Sequence, residues 1–272
     1  MCETEQQTST QPKIFAVAQT DARQAAAGRA LAAKGYTVVG AEETALADYI
    51  LLPLPLDDEQ AGLAQLLRAA KPEAIAFGGK ISPKVQAMAA ASRIELLDYF
   101  ARPELAILNA IPTAEGAIAL LFAHRSSTLW GAELLVTGFG RVAQSLASRL
   151  LALGAKVTIA ARSAEQRAMA RAMGCEAVAI ESLRQCAAQF TTAINTVPAL
   201  LLDATVLGQM PQGSLVIDLA SRPGGVDFAA AKALGMQAIH ALSLPAACAP
   251  ESAGAFVAQT VLEMIAERRN TE

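Results

Sequence analysis

Histidine is almost missing from this chain of 272 residues, which has two, and aromatic residues make up only 4% of it. The four cysteines, Cys2, Cys175, Cys186 and Cys248, fall in no CxxC or short Cys/His spacing. The patterns of a zinc site and of a disulfide framework are therefore lacking, and no metal is expected. Charged residues reach 17%, against about 25% in an average soluble domain. The net charge is −3 and no long run has one sign; a nucleic-acid backbone needs a basic stripe, so nucleic acid is excluded as a partner. The longest uncharged stretch, 185–202, is broken by Gln189, Thr191, Thr192, Asn195 and Pro198, whereas a membrane span needs about 20 predominantly apolar residues. Residues 1–12 are polar and show no basic end leading into an apolar run, so no signal peptide is read and a cytoplasmic location is expected.

What the chain has is aliphatic residues. Apolar types make up 53%, largely alanine, which predicts closely packed helices in place of aromatic clusters. Roughly 100–200 residues per domain allows one large domain or two small ones, and the hydrophobic pattern favours two. Apolar, partly β-branched runs at 13–19, 36–39, 49–54 and 74–77 read as strands, with an alanine-rich helix at 21–34 stopped by Gly35. A second series has strands at 133–137, 156–160, 177–180, 193–196, 214–219 and 237–242, with helices at 142–153 and 164–173. Alternation of this kind predicts an α/β protein of two doubly wound parallel-sheet domains. The expected organisation is a flavodoxin-like substrate or partner domain over 1–111, a connecting helix within 112–126 opened by Pro112 as its first residue, and a Rossmann dinucleotide-binding domain over 127–250. A last helix, within 251–272, is expected to pack back on the first domain.

The chemistry is carried by Gly138-Phe139-Gly140-Arg141-Val142-Ala143, which follows a strand and opens a helix. In that context a GxGxxG/A string means dinucleotide binding: Gly138 permits the tight turn, Gly140 lets the backbone approach a diphosphate, and Ala143 keeps helix and sheet close. An NAD site places an acidic residue about 20 residues later, on the ribose 2′-hydroxyl. Here the strand ends in Ala161-Arg162-Ser163, and arginine beside serine suits a 2′-phosphate, so NADP is preferred to NAD. Asn195-Thr196-Val197-Pro198 ends a later strand on the ligand side of the sheet, where Thr196 and its neighbours face the nicotinamide ribose or simply form a proline-stopped turn. In Asp218-Leu219-Ala220-Ser221-Arg222-Pro223-Gly224-Gly225 a strand runs straight into a cation. Arg222 is the candidate for holding a substrate carboxylate beside the nicotinamide, with Ser221 as a second donor; the plain alternative is a salt bridge to Asp218 or Asp227. His124 and His240 offer no convincing histidine–carboxylate pair, which a hydroxyacid dehydrogenase needs to move its hydroxyl proton.

The segments 107–116, 138–143 with 161–163, 195–198 and 218–225, together with Leu244-Pro245, Ala249-Pro250 and Ala253-Gly254, resemble the A-subunit family of dipicolinate synthase from endospore-forming bacteria. That resemblance implies oxidation of a dihydrodipicolinate-type intermediate to pyridine-2,6-dicarboxylate, alongside the flavoprotein-like B-subunit of dipicolinate synthase, in the mother cell of a sporulating bacterium. It implies a small dicarboxylate substrate held by Arg222 and by a donor from the first domain, for which Arg23 in Asp21-Ala22-Arg23-Gln24 is the candidate. Gly78-Gly79 would offer backbone N–H groups to the same ligand. Asn109, Thr113 and Glu115 would border it, with Glu115 or a water on Thr113 taking the proton. Two other readings stay open: a 2-hydroxyacid-dehydrogenase-like oxidoreductase, and a non-catalytic nucleotide-binding protein that gates its partner. Self-association is left open.

Overall fold

A computed structural model describes residues 13–56 and 62–270; the polar stretch at 1–12 lies outside them. The chain divides into two compact units, unit 1 from 1–106 with 250–272, and unit 2 from 107–249.

In unit 1 the order is β1 (Ile14–Val17), α1 (Ala22–Ala33), β2 (Thr37–Gly40), β3 (Tyr49–Leu51), α2 (Leu63–Ala69), β4 (Ile75–Gly78), α3 (Pro83–Ala91) and β5 (Glu95–Asp98). The runs IFAV, YIL and IAFG are apolar at successive positions, as strands covered on both faces must be. All pairs are parallel, and the strand order is β2-β1-β3-β4-β5, the flavodoxin-like arrangement. Phe15, Val17, Leu51 and Phe77 point to the face covered by Leu31 of α1 and by Val257 and Val261 of the last helix. Ala16, Ile50 and Ala76 point to the other, against Leu63, Leu67, Val85 and Ala89. That last helix, here α11 after the elements of unit 2, spans Pro250–Arg269 and lies against α1.

The helix expected to open at Pro112 is longer: α4 runs Pro103–His124 with Pro112 inside it. Pro103 takes the first helical position, where a missing N–H costs nothing, and Glu104 sits in the first turn. Pro112 removes only the one bond its nitrogen would make to the carbonyl of Leu108. α4 is apolar enough by composition to cross a membrane; Leu105 goes into the core of unit 1 and Ala114, Ala117 and Leu121 into that of unit 2, while Ile107 and Phe122 are exposed.

Unit 2 continues with β6 (Glu133–Thr137), α5 (Arg141–Ala152), β7 (Lys156–Ala161), α6 (Ala164–Ala172), β8 (Glu176–Ala179), α7 (Leu183–Cys186), β9 (Thr192–Asn195), α8 (Ala204–Leu207), β10 (Leu215–Asp218), α9 (Phe228–Ala233), β11 (Gln237–His240) and α10 (Leu244–Cys248). Its six strands are parallel in the order β11-β10-β9-β6-β7-β8. Counted from its own first strand, this is the Rossmann order read from the far edge. The sheet is buried on both faces, and the carboxyl ends of β6, β7, β9 and β10 collect at one edge.

One partly buried charge ties β1 to β3. Asp48, just before β3, accepts the Ile14 amide at 2.8 Å, Lys71 at 2.8 Å and Lys13 at 3.1 Å. Burial works against its charged form, but these donors outweigh it and lower its pKa from 3.8 to about 2. Because the folded value lies below the unfolded one, the stabilisation is complete above about pH 4 and is lost as the pH falls through the folded value, a contribution of about 2 kcal/mol. Asp48→Asn is expected to remove that part of the acid dependence between pH 4 and 2 in urea unfolding; an unchanged slope would show that the clamp does not act.

Candidate functional site

β6 ends at Thr137 and the chain turns at once through Gly138, whose φ of +86° is left-handed. A side chain there would be strained and would also collide with Val197 and Thr196, 2.5 and 2.7 Å from its Cβ position. Glycine is thus required twice over. Gly140 caps α5, and no side chain occupies its capping role. A Cβ on Gly140 would meet nothing within 4 Å, so the first-turn N–H groups of a twelve-residue helix face open space. That is the cradle a diphosphate needs: unpaired donors, the positive end of a helix, and room for close approach. The Phe139 side chain is core, 2% exposed, which leaves its backbone for the ligand, whereas Arg141 is exposed and Val142 partly so. Ala143 is fully buried against the sheet, as the pattern demands.

Beside the loop, the last residues of three adjacent strands form one buried chain of hydrogen bonds. Thr137 Oγ1 donates to Asn195 Oδ1 at 2.6 Å, and Asn195 Nδ2 donates to Asp218 Oδ1 at 2.7 Å. All three residues have zero exposure. Asn195 also binds both backbone groups of Val197, through N–H at 3.2 Å and C=O at 2.8 Å. Asp218 accepts further from Ala220 N at 3.0 Å and Gly225 N at 2.7 Å. The Asp218 carboxylate has no cation partner among the described residues; three N–H donors compensate its charge. The sequence pattern puts Asn195 on the cofactor; in the structure both polar atoms of its side chain are engaged by Thr137, Val197 and Asp218, so the side chain shapes the site. Thr137 and Asp218 escape sequence reasoning in that role. Nothing in composition distinguishes a strand-ending Thr or Asp from a solvated one; only the parallel register, which sets Thr137 beside Asn195 and Asn195 beside Asp218, brings them together.

The loop that Asp218 holds carries Ser221 and Arg222, both exposed. Arg222 makes no ion pair among the described residues: Asp218 is engaged as above, and Asp227 caps α9 by accepting Ala230 N at 2.9 Å. Thr196 donates to Thr137 O at 2.7 Å, which leaves Val197 and the exposed Pro198 on the outer side of the turn. At the end of β7, Ala161 is buried while Arg162 and Ser163 are exposed. Ser163 Oγ caps α6 by accepting Gln166 N at 3.1 Å, and Arg167 Nη1 donates to the Ala161 carbonyl at 2.9 Å and the Arg162 carbonyl at 2.6 Å. These bonds fix the backbone and leave the Arg162 guanidinium without an ion pair among the described residues.

On α4, Asn109 is 8% exposed and its Oδ1 has no partner. The Thr113 hydroxyl donates to the Asn109 carbonyl at 2.7 Å and so does not cap a helix. Glu115 lies mid-helix and exposed, 3.6 Å from Arg149. Both histidines serve packing contacts. His240 Nε2 lies 3.0 Å from the Ala220 carbonyl with its ring stacked on Phe228, and His124 Nδ1 lies 2.7 Å from Gln237 Nε2.

In unit 1, Arg23 is 5% exposed. The Gly79 N–H is not a free donor, since it already binds the Pro53 carbonyl at 3.1 Å. Gly78 and Gly79 are glycines because a Cβ would press on Leu56 at 2.5 Å in one case and on Tyr99 at 2.6 Å in the other.

The fold and loop of unit 2 define a nicotinamide-dinucleotide-binding domain of the dehydrogenase type. Residues 115–244 match the family described as D-isomer specific 2-hydroxyacid dehydrogenase, NAD binding domain. The A-subunit of dipicolinate synthase from Bacillus subtilis is 36% identical over 193 residues, 71% of this chain; the aligned part spans 65% of that protein's own length. The solved A-subunit of dipicolinate synthase from Bacillus halodurans matches with a TM-score of 0.85 and 31% identity, over 93% of this chain and 98% of that one. The solved A chain from Bacillus subtilis gives 0.83 and 30%, over 97% and 98%. The chain belongs to the A-subunit family of dipicolinate synthase.

Asp218→Asn would turn an acceptor into a donor opposite N–H groups. The expected loss is about 2–3 kcal/mol in urea unfolding, against about 1 kcal/mol for Thr137→Val; two equal, near-zero losses would contradict the network.

Proposed function

We propose that this chain oxidises a dihydrodipicolinate-type ring to pyridine-2,6-dicarboxylate with NADP, acting with a flavoprotein-like B-subunit. The observation that carries this reading is Arg222: a cation without an ion pair among the described residues, on a loop pinned by the buried Asp218, at the same sheet edge as the glycine loop that cradles the dinucleotide. A fork of N–H donors on a rigid support is what carboxylate recognition requires. Arg222 holds one carboxylate of the diacid. The bound nicotinamide supplies the hydride acceptor. Removing hydride and proton creates an aromatic ring, so the reaction has its own driving force and the chain need supply only orientation and a weak base. Glu115, or a water on Thr113, takes the proton. Asn109 and Ser221 complete the polar border.

NADP is preferred because β7 ends without a carboxylate and Arg162 and Ser163 stand exposed on a backbone fixed by Arg167. The matched family model favours a second reading, a 2-hydroxyacid dehydrogenase. Against it, neither histidine forms an ion pair with a carboxylate among the described residues. The third reading, a gating protein without chemistry of its own, predicts no turnover by the chain alone.

Two measurements test the proposal. Purified chain, with and without the flavoprotein-like partner, is expected to form NADPH from dihydrodipicolinate and not from hydroxyacids such as glycerate, and Glu115→Gln is expected to slow that rate about tenfold, in line with a general base. Turnover of hydroxyacids alone would favour the second reading. In calorimetry, Arg162→Ala is expected to weaken NADP at least about tenfold, roughly 1.4 kcal/mol, and to leave NAD unchanged; equal effects on both would assign Arg162 to solvent.

A further inference from the structure

Arg23 lies in the first turn of α1, where arginine is usually solvated, yet its side chain is 6% exposed. Its hydrogen bonds all leave from one nitrogen: Nη2 donates to Asp21 Oδ2 at 3.0 Å and to the Leu54 carbonyl at 2.7 Å. Nε is buried without a partner, and Nη1 makes no hydrogen bond to the described residues. Asp21, the single counter-charge among the described residues, also caps α1 by accepting Gln24 N at 2.9 Å. A guanidinium offers five N–H donors, and a buried cation satisfied at one nitrogen is incomplete. An acceptor of opposite charge and planar fork geometry, a carboxylate, completes it.

The surroundings hold that cation in place. Gln24 Nε2 donates to the Leu52 carbonyl and to the Tyr99 hydroxyl, both at 3.2 Å, and the Tyr99 hydroxyl donates to the same carbonyl at 3.1 Å. Tyr99 is fully buried, and burial pushes its phenol well above the usual range, so it stays a donor. Gly79 N binds the Pro53 carbonyl, and Leu56 N binds the Gly79 carbonyl at 2.8 Å. The segment 52–56, which presents the Leu54 carbonyl to Arg23, is thus fastened on both sides of Leu54. Every one of these groups belongs to unit 1.

We propose that Arg23 is a carboxylate receptor preassembled within unit 1, so that the chain binds an aromatic carboxylate without any dinucleotide, with Gln24 and Tyr99 as positioning residues. The identity of the acid rests on the proposed function; the nucleotide-independence does not. A receptor built before the ligand arrives loses little ordering entropy on binding, and the acid and the dinucleotide then bind in either order.

The test is calorimetry on the full chain free of nucleotide, with pyridine-2,6-dicarboxylate, pyridine-2-carboxylate and inorganic phosphate as probes. Both pyridine acids are expected to bind and phosphate at least tenfold more weakly. Arg23→Gln and Arg23→Lys are each expected to lose at least tenfold in affinity for pyridine-2-carboxylate, with the circular dichroism of the wild type. Tyr99→Phe keeps the ring and removes the hydroxyl; a three- to tenfold loss for the acid with NADP affinity unchanged is expected. Acid binding that needs NADP would overturn this inference and leave the proposed function standing, as would phosphate binding as tightly as the acids or Arg23→Gln binding like wild type. Failure of the proposed function would appear separately, as acid and NADP both bound with no NADPH formed.

Discussion

The carboxyl edge of unit 2 depends on the side chain of Asn195. It receives the Thr137 hydroxyl and the Val197 amide, and it donates to Asp218 and to the Val197 carbonyl. Three strand ends, and the three loops that leave them, are joined through one amide with zero exposure. In a parallel sheet the ligand-facing loops are otherwise independent excursions, each able to move at its own cost. Here the glycine turn, the 196–199 turn and the 220–225 loop share a buried polar chain with its donors and acceptors matched, and such a network is stiff because any partial opening leaves a buried polar group unpaired.

That constraint separates exposed side chains at the sheet edge from the residues that aim them. Arg222 and Arg162 reach outward from backbones fixed by others, Asp218 in one case and Arg167 in the other. The same division recurs in unit 1, where Tyr99 and Gln24 never meet solvent but hold the carbonyl segment on which Arg23 rests. A binding group on a strapped loop keeps its geometry without a bound partner, and binding then costs less ordering.

Much of this is legible in the sequence. The apolar runs identify ten of the eleven strands, and the glycine loop reads correctly because strand, loop and helix follow in order. The strand that escapes is β5: Glu95 and Asp98 stand at the ends of its four residues, leaving two apolar positions to signal it. Pro112 misleads because a proline usually opens a helix, whereas α4 carries it past the first turn and loses one hydrogen bond. The glycines at 78 and 79 look like ligand-facing donors and are packing positions, since the contact with Tyr99 is long-range and leaves no local trace. The positioning residues are invisible for a like reason: Thr137, Asn195 and Asp218 are separated by tens of residues, and only strand register makes them neighbours.

The central claim is that this edge of unit 2 is organised around a dinucleotide phosphate. Backbone amide shifts on titration with NADP test it most directly. The account predicts that the amides of 139–142 and of 162–163 move first and saturate together, while Asn195 and Asp218 side-chain signals keep their positions. Shifts confined to other parts of the chain, with the glycine loop unmoved, would contradict it.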